Sequence, residues 1–298
     1  GLRDSGAKVM VISGKTRVCG VIGDPIAHTL SPAIQNAAFQ HLKLDFVYVA
    51  FHVKPADLEN ALRGMRGFDI HGLNVTMPHK SAVIKYLDKL DPAVQFLGSV
   101  NTILNRNGQL CGFNTDGIGA LNALKENRVD ISGKKMLLLG AGGAAKAIAH
   151  AFAEEIGELV ILNRSAEKAA ELAAALHRVF GKKIVGGSLS PVAVQRNLQD
   201  ADILVNATSV GMHPNIHQSL VQPEWLKPDL AVMDIVYNPV ETKLAKDAKA
   251  AGAKVISGVE MLIYQGAASF EIWTGCQAPV EVMRQAALSQ LSSAGADR

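Results

Sequence analysis

Aromatic residues are scarce in this sequence, at 5% of the chain, and charge of one sign is nowhere concentrated: Lys and Arg number 30, Asp and Glu 27, for a net charge of +3. Without a basic block, and with few rings to stack on bases, the chain does not read as a partner of nucleic acid. Cysteine is equally sparse. Cys19, Cys111 and Cys276 are far apart and form no Cys-x-x-Cys pair, which argues against a disulfide framework and a zinc knuckle and fits a reducing, cytoplasmic compartment. No apolar run in a helix-like pattern reaches the length of a membrane span. Nor does any stretch near Gly1 have the apolar length of a signal peptide; residues 1–15 read as a polar, glycine-containing extension. His28, His71 and His79 have no second pair of ligands at helical or hairpin spacing, so no metal is expected. Internal repeats, heptads and low-complexity segments are likewise missing.

What is present is apolar mass and alternation. Apolar residues make up 48% of the 298 residues and charged ones 19%, enough for real cores, and the length suits two domains at about 100–200 residues each. Strand-like runs at Arg17–Gly23, Phe46–Phe51 and Ile70–Val75 alternate with helix-like stretches at Pro32–His41 and Pro55–Arg66. Ser99–Leu104 and Gln109–Gly112 flank Asn105-Arg106-Asn107-Gly108, a hairpin turn by composition. A second series starts with Met136–Leu139, fully apolar as a strand buried on both faces would be. Helix Ala144–Glu155, strand Leu159–Leu162, helix Ala166–Phe180 and strands Ile203–Asn206, Ala231–Ile235 and Lys254–Ile256 follow, with helix Thr242–Ala251 before the last of them. The expected fold is α/β with mostly parallel sheets, the second unit a doubly wound mononucleotide-binding domain. A helix starting near Thr115 is expected to connect the two. Glu260–Trp273 and Val280–Leu291 are helical, with no strand after them; they either pad the second sheet or return to the first domain.

The sharpest local signal is Gly140-Ala141-Gly142-Gly143-Ala144-Ala145, a G-x-G-x-x-A between a strand and an alanine-rich helix. Gly140 would allow the tight turn, Gly142 the approach of backbone to a pyrophosphate, and Ala145 close helix–strand packing, with the helix N-terminus facing the phosphates. The bland alternative is a glycine-rich turn of an ordinary α/β domain. At the end of the next strand a site for NAD usually carries an acid; this chain has Asn163-Arg164-Ser165, with Lys168 one turn on. A guanidinium forks onto a 2′-phosphate that a carboxylate would repel, so the cofactor reads as NADP, unless Arg164 and Lys168 are plain surface charges.

Three polar clusters in the first half sit where strands end: Asp24–Pro32, Asn74–Lys80 and Asn114–Gly117. Taken singly, each has an ordinary structural explanation. Ser31 and Pro32 would be a helix cap and first-turn pair, Thr115 or Asp116 a cap with Gly117 relieving the turn, and Lys80 a surface lysine at a helix start. Together with a dinucleotide loop they point to a ligand cleft at the sheet's C-terminal edge.

Taken in order, the motifs resemble the shikimate/quinate dehydrogenase family. They are Thr29-Leu30-Ser31-Pro32, Asn74-Val75-Thr76-Met77-Pro78-His79-Lys80, Val100-Asn101-Thr102, Asn114-Thr115-Asp116-Gly117, the glycine loop, Asn163-Arg164-Ser165, Asn206-Ala207-Thr208, Tyr237-Asn238-Pro239 and Gln265-Gly266-Ala267, spanning about Arg17 to Gly275. The resemblance implies reversible oxidation of the shikimate 3-hydroxyl, with NADP carrying the hydride, and a catalytic Lys80 paired with Asp116. It implies substrate contacts from Thr29, Ser31, Thr76, Lys80, Asn101, Asp116, Tyr237 and Gln265. Cofactor contacts would come from Gly140, Ala141, Gly142, Gly143, Ala144, Asn163, Arg164, Ser165, Lys168, Thr208, Ile235, Gly258 and Met261. It also implies two α/β domains flanking a cleft: residues 1–115, completed by C-terminal helices in 258–298, for substrate, and 116–257, Rossmann-like, for NADP. The molecule would be a monomer or homodimer acting on a small molecule, away from membranes.

The residue types suit that chemistry. A lysine can take up or return the carbinol proton as the carbonyl forms. A carboxylate beside it favours the charged ammonium, so Asp116 is expected to orient substrate and Lys80. Ser, Thr, Asn, Gln and Tyr would read a triol by leaving groups unpaired with the wrong substrate. The family commonly carries Ser-x-Ser in its first motif; here the first hydroxyl belongs to Thr29, with an added methyl and a stiffer χ1. Two other readings are a quinate/shikimate dehydrogenase of broader range and a non-catalytic, ligand-sensing relative. Retention of Lys80, Asp116 and Arg164 speaks against the latter.

Overall fold

The computed structural model describes residues 11–296, so the first ten residues of the expected N-terminal extension lie outside the described part. Two six-stranded sheets follow one another along the chain. The first is built from β1 (Arg17–Gly23), β2 (Phe46–His52), β3 (Gly72–Val75), β4 (Lys89–Leu90), β5 (Thr102–Arg106) and β6 (Gln109–Phe113), with helices α1 (Ser31–His41), α2 (Leu58–Gly67) and α3 (Pro92–Leu97). Helix α4 (Asp116–Glu126) leads to the second sheet, as the connection near Thr115 was expected to. That sheet comprises β7 (Lys135–Leu139), β8 (Glu158–Asn163), β9 (Lys183–Ser188), β10 (Ile203–Asn206), β11 (Ala231–Asp234) and β12 (Lys254–Ile256). Helices α5 (Gly143–Phe152), α6 (Ala166–Phe180), α7 (Pro191–Leu198) and α8 (Lys243–Ala250) connect its strands, and α9 (Gly258–Thr274) and α10 (Val280–Ala296) close the chain.

The first sheet runs β2-β1-β3-β5-β6-β4. It is less parallel than the alternation predicts. β5 is antiparallel to both β3 and β6, because the Asn105–Gly108 turn folds it back as a hairpin with Asn107 and Gly108 at positive φ. The second sheet, β12-β11-β10-β7-β8-β9, is parallel at every pairing. Counted from β7, its order is that of a doubly wound dinucleotide fold, whose switch point falls between β7 and β10. β7 shows why its sequence is apolar throughout. Met136 and Leu138 enter one buried cluster with α5, while Leu137 and Leu139 enter another on the opposite face.

Four elements escape the sequence reading: the short β4 and α3 between β3 and β5, and β9 and α7 in the second sheet. β9 is broken by Gly186-Gly187, yet a Cβ at Gly186 would lie 2.2 Å from Ala169 O, so glycine is what lets α6 lie against that strand. Helix α7, capped by Ser190, follows it. The C-terminal helices return to the first sheet, the second of the two placements left open by periodicity. α9 packs Ile263, Ala267, Phe270 and Trp273 among Cys19, Val21, Phe39 and Tyr48, and Trp273 Nε1 donates to Ile103 O at 3.0 Å.

Candidate active site

The strands' C-terminal ends face a cleft lined from both sheets. A cavity of about 400 Å³ lies against the first sheet. It gathers Thr29, Ser31, Thr76, Lys80, Asn101, Asp116, Tyr237 and Gln265, all eight of the side chains expected around substrate. Ile235, Gly258 and Met261, expected at the cofactor, line the same cavity from the other side.

Local structure explains how these groups stay available. Ser31 does not cap α1, as its pairing with Pro32 suggests. The cap position is Leu30, with no side-chain cap bond, because Ser31 is the first helical residue and its hydroxyl lines the cavity. Thr29 Oγ1 accepts from Ser31 N at 3.3 Å, which leaves the Thr29 proton to give away. Lys80 rides on the loop after β3. That loop is pinned by the buried His79 ring, which donates to Val53 O at 2.6 Å, and by Lys80 O accepting from Val100 N at 2.8 Å. Thr115 occupies the cap position of α4, but its hydroxyl donates to Gln265 O at 3.0 Å instead of capping, tying α4 to α9. Gly117 serves helix packing rather than the turn: a Cβ there would lie 2.4 Å from Ala147 O on α5.

Lys80 Nζ donates to Asp116 Oδ2 at 2.9 Å. Asn101 Nδ2 donates to the other carboxylate oxygen at 3.0 Å. The Asp116 side chain is 12% exposed and that of Lys80 32%, so the ammonium reaches the cleft from a carboxylate anchored beneath it. Tyr237 reaches in from the second sheet's side, and burial pushes its hydroxyl above the ordinary phenol range, keeping it a donor. The apolar wall of Val21, Ile26, Leu30 and Leu262 was not foreseen, since apolar residues near strand ends look like any core.

A second cavity, about 570 Å³, opens at the switch point. Gly140, at φ +111°, turns the chain there, and a Cβ on it would lie 2.9 Å from Ala207 O on the neighbouring crossover. Gly140, Ala141, Gly142, Asn163, Arg164 and Thr208 line this cavity. Ser165 and Lys168 join Arg164 around an adjoining hollow. Gly143 and Ala144 open α5 and line neither cavity. The space a Cβ would enter at Gly142 and Gly143 is open, as a phosphate cradle needs. Among the described residues no carboxylate pairs with Arg164 or Lys168, whereas Lys135 and Lys183, on the same sheet, are both in ion pairs. Two hydroxyls are partly spent. Ser165 Oγ caps α6 by accepting from Lys168 N, and Thr208 Oγ1 donates to Asn206 Oδ1 at 2.7 Å. Leu189, Ser190 and Trp225 are among the other residues of its walls. Recognising β9 as a strand would have brought out the first two, because they follow its C-terminal end.

Models of three domains match in chain order: the shikimate dehydrogenase substrate binding domain over residues 21–103, shikimate/quinate 5-dehydrogenase over 122–251, and the shikimate 5′-dehydrogenase C-terminal domain over 258–288. A shikimate dehydrogenase (NADP(+)) of Dehalococcoides mccartyi strain CBDB1 is 49% identical over 268 residues, covering 90% of this chain and 94% of that one. The chain belongs to the shikimate dehydrogenase family. Among solved members of that family, a shikimate dehydrogenase in complex with NADP+ superposes with a TM-score of 0.90 at 43% identity, covering 96% of this chain and 99% of the other. The Listeria monocytogenes shikimate 5-dehydrogenase, in complex with shikimate and NAD, gives 0.89 at 38% identity, with 93% and 98% covered. The Rossmann-like second sheet is the family's. Among the described residues no group of side chains could hold a metal, and no helix is long and apolar enough to cross a membrane.

Proposed function

We propose that this protein is an NADP-dependent shikimate dehydrogenase, interconverting shikimate and 3-dehydroshikimate. The observation that carries the reading is the Lys80–Asp116 pair, at 2.9 Å, on the floor of a cleft ringed by neutral hydrogen-bonding groups. The first sheet with α9 and α10 would hold substrate, and the second sheet NADP. The residues at the switch point fit that cofactor: an open cradle at Gly142, a helix N-terminus, and two cations without carboxylate partners. When bound, NADP supplies the acceptor or donor of hydride at the carbinol carbon. Everything else falls to this chain. Thr29 and Ser31 donate to the ring carboxylate; Thr76, Asn101, Tyr237 and Gln265 position the hydroxyls. Lys80, as the free amine, would take the proton of the 3-hydroxyl as the carbonyl forms and become an ammonium, and the ammonium would return that proton in reduction, with Asp116 holding the nitrogen in place in both directions. Ile235, Gly258 and Met261 line the substrate cavity on the side away from Lys80's sheet, where the reacting carbons would meet. Arg164, supported by Lys168, would fork onto the 2′-phosphate. The same reading includes a cytoplasmic setting, with three free cysteines, and a monomer or homodimer.

Absorbance at 340 nm with shikimate and NADP tests the proposal, with quinate and NAD as parallel arms. Turnover is expected fastest with the first pair. A faster rate with quinate would move the assignment to quinate/shikimate dehydrogenase, and no rate with either substrate would leave only a ligand-sensing role.

A further inference from the structure

Beneath the cleft floor lies a run of polar side chains that faces no solvent. Tyr48 on β2, Asn74 on β3, Asn101 just before β5, Thr102 on β5 and Ser269 on α9 are all buried, Thr102 and Ser269 completely. Their contacts allow the direction of each hydrogen bond to be worked out from donor and acceptor capacity. Thr115 N can only donate, so the Asn101 atom 2.8 Å from it is the amide oxygen, and the Asn101 nitrogen faces Asp116. Thr102 Oγ1 lies 2.9 Å from that same oxygen and must donate to it. Its only proton is then spent, so the 2.7 Å contact between Thr102 and Ser269 is a bond donated by Ser269. With its one proton given to Thr102, Ser269 has none left for Gln265 O, 3.1 Å away, which accepts from Thr115 Oγ1. Asn74 Nδ2, 3.1 Å from Asn101 O, is thereby fixed as the nitrogen, and it donates to Ser269 Oγ, also at 3.1 Å. Asn74 Oδ1 accepts from Tyr48 at 2.7 Å. Burial pushes the Tyr48 hydroxyl well above the usual phenol range, so it stays a donor.

Every bond therefore points the same way: Tyr48 to Asn74, to Ser269, to Thr102, to Asn101, to Asp116. The chain ends on Asp116 Oδ1, opposite the oxygen that receives Lys80. Hydrogen bonds in such a series polarise one another. Stability alone gives no reason for a completely buried threonine on a strand, where valine fills the same space without a hydroxyl to satisfy.

We propose that Thr102 and Ser269 are positioning residues of the reaction, acting through Asn101 to hold the Asp116 carboxylate where it aims Lys80 Nζ at the reacting oxygen. The inference rests on the reading of Lys80 and Asp116 as the reacting pair. Steady-state kinetics of Thr102→Val, Thr102→Ser and Ser269→Ala test it, using whichever of shikimate and quinate the wild type turns over faster, with thermal melting alongside. Thr102→Val keeps the shape and loses the proton; Thr102→Ser does the reverse. Thr102→Val and Ser269→Ala are expected to lower kcat roughly 10- to 100-fold, the range for a small displacement of a catalytic group, with KM for NADP within about twofold. Thr102→Ser should restore kcat whichever of the two variants melts lower. A kcat that instead follows melting temperature, with serine worse than valine, would reduce the chain to a structural role and overturn the proposal. Asp116→Asn tells the two levels apart. If it leaves kcat intact, the reacting pair is misassigned and the proposal falls with it. If it lowers kcat while Thr102→Val does not, only the positioning chain is wrong.

Discussion

At Lys80 a single amine meets one carboxylate and an open cleft. Lys80→Ala removes the group proposed to exchange the carbinol proton while leaving the neutral donors proposed to hold the ring. A kcat loss of about 10²–10⁴ is expected, with a much smaller rise in KM. Near-normal kcat with a raised KM would make Lys80 a binding residue. Arg164 is the corresponding test at the other cavity. It is exposed and, among the described residues, without an ion-pair partner, so its removal should weaken NADP by about 1.5–3 kcal/mol, the worth of a hydrogen bond to a charged group, and leave NAD almost untouched. KM values for the two cofactors measure the difference. Equal losses would assign Arg164 to the adenosine or to the fold.

The element on which most depends is α4. Its first residue is Asp116, and its second, Gly117, lets it lie against α5. Alanine at 117 would gain about 1 kcal/mol in helix propensity. The new methyl, however, would sit 2.4 Å from the backbone oxygen of Ala147 and 2.8 Å from Ala151 Cβ, so one of the two helices must shift. Overpacking of this kind costs roughly 1–3 kcal/mol and outweighs the gain. Gly117→Ala should therefore melt a few degrees lower and also lose kcat, because α4 can yield only by moving Asp116. An unchanged melting temperature and rate would mean that α5 gives way without effect on the site. The α9 helix does the complementary work, bringing Gln265 to the cleft and seating Trp273 over Gly72, where a Cβ would lie 2.3 Å from the indole nitrogen.

For the molecule as a whole, two histidines link parts distant in sequence. His71 donates to Trp273 O at 2.7 Å, joining the first sheet to α9, and His150 on α5 lies between Phe96 and Phe180. Burial lowers the pKa of both below the ordinary 6.5. As pH falls through 6.5 the unfolded chain therefore binds protons that the folded one refuses, and stability is lost until the lowered values are reached. Melting temperature should drop between pH 7.5 and 5.5, and the double variant His71→Gln, His150→Gln should show a flatter profile. A profile as steep as wild type would place the titration elsewhere.

Sequence alone determined what depends on neighbours along the chain. β7 is apolar at every central position because both its faces are covered. The glycine loop follows because a tight turn beside a crossover admits no Cβ at Gly140. The motif residues of the first sheet belong to one cavity because its parallel strands deliver their C-terminal ends to one edge, the same edge at which antiparallel β5 begins. What depends on distant packing was not legible. β9 was hidden because one of its two glycines, Gly186, is required by α6, an approach invisible locally. The antiparallel β5 followed from a turn that was recognised, but its place between β3 and β6 was decided by pairing. The hydroxyls of Ser31 and Thr115 looked like caps because local chemistry permits that use. Only the cleft on one side and α9 on the other drew them away, and the same long-range packing brings Ser269 against Thr115 from 154 residues downstream.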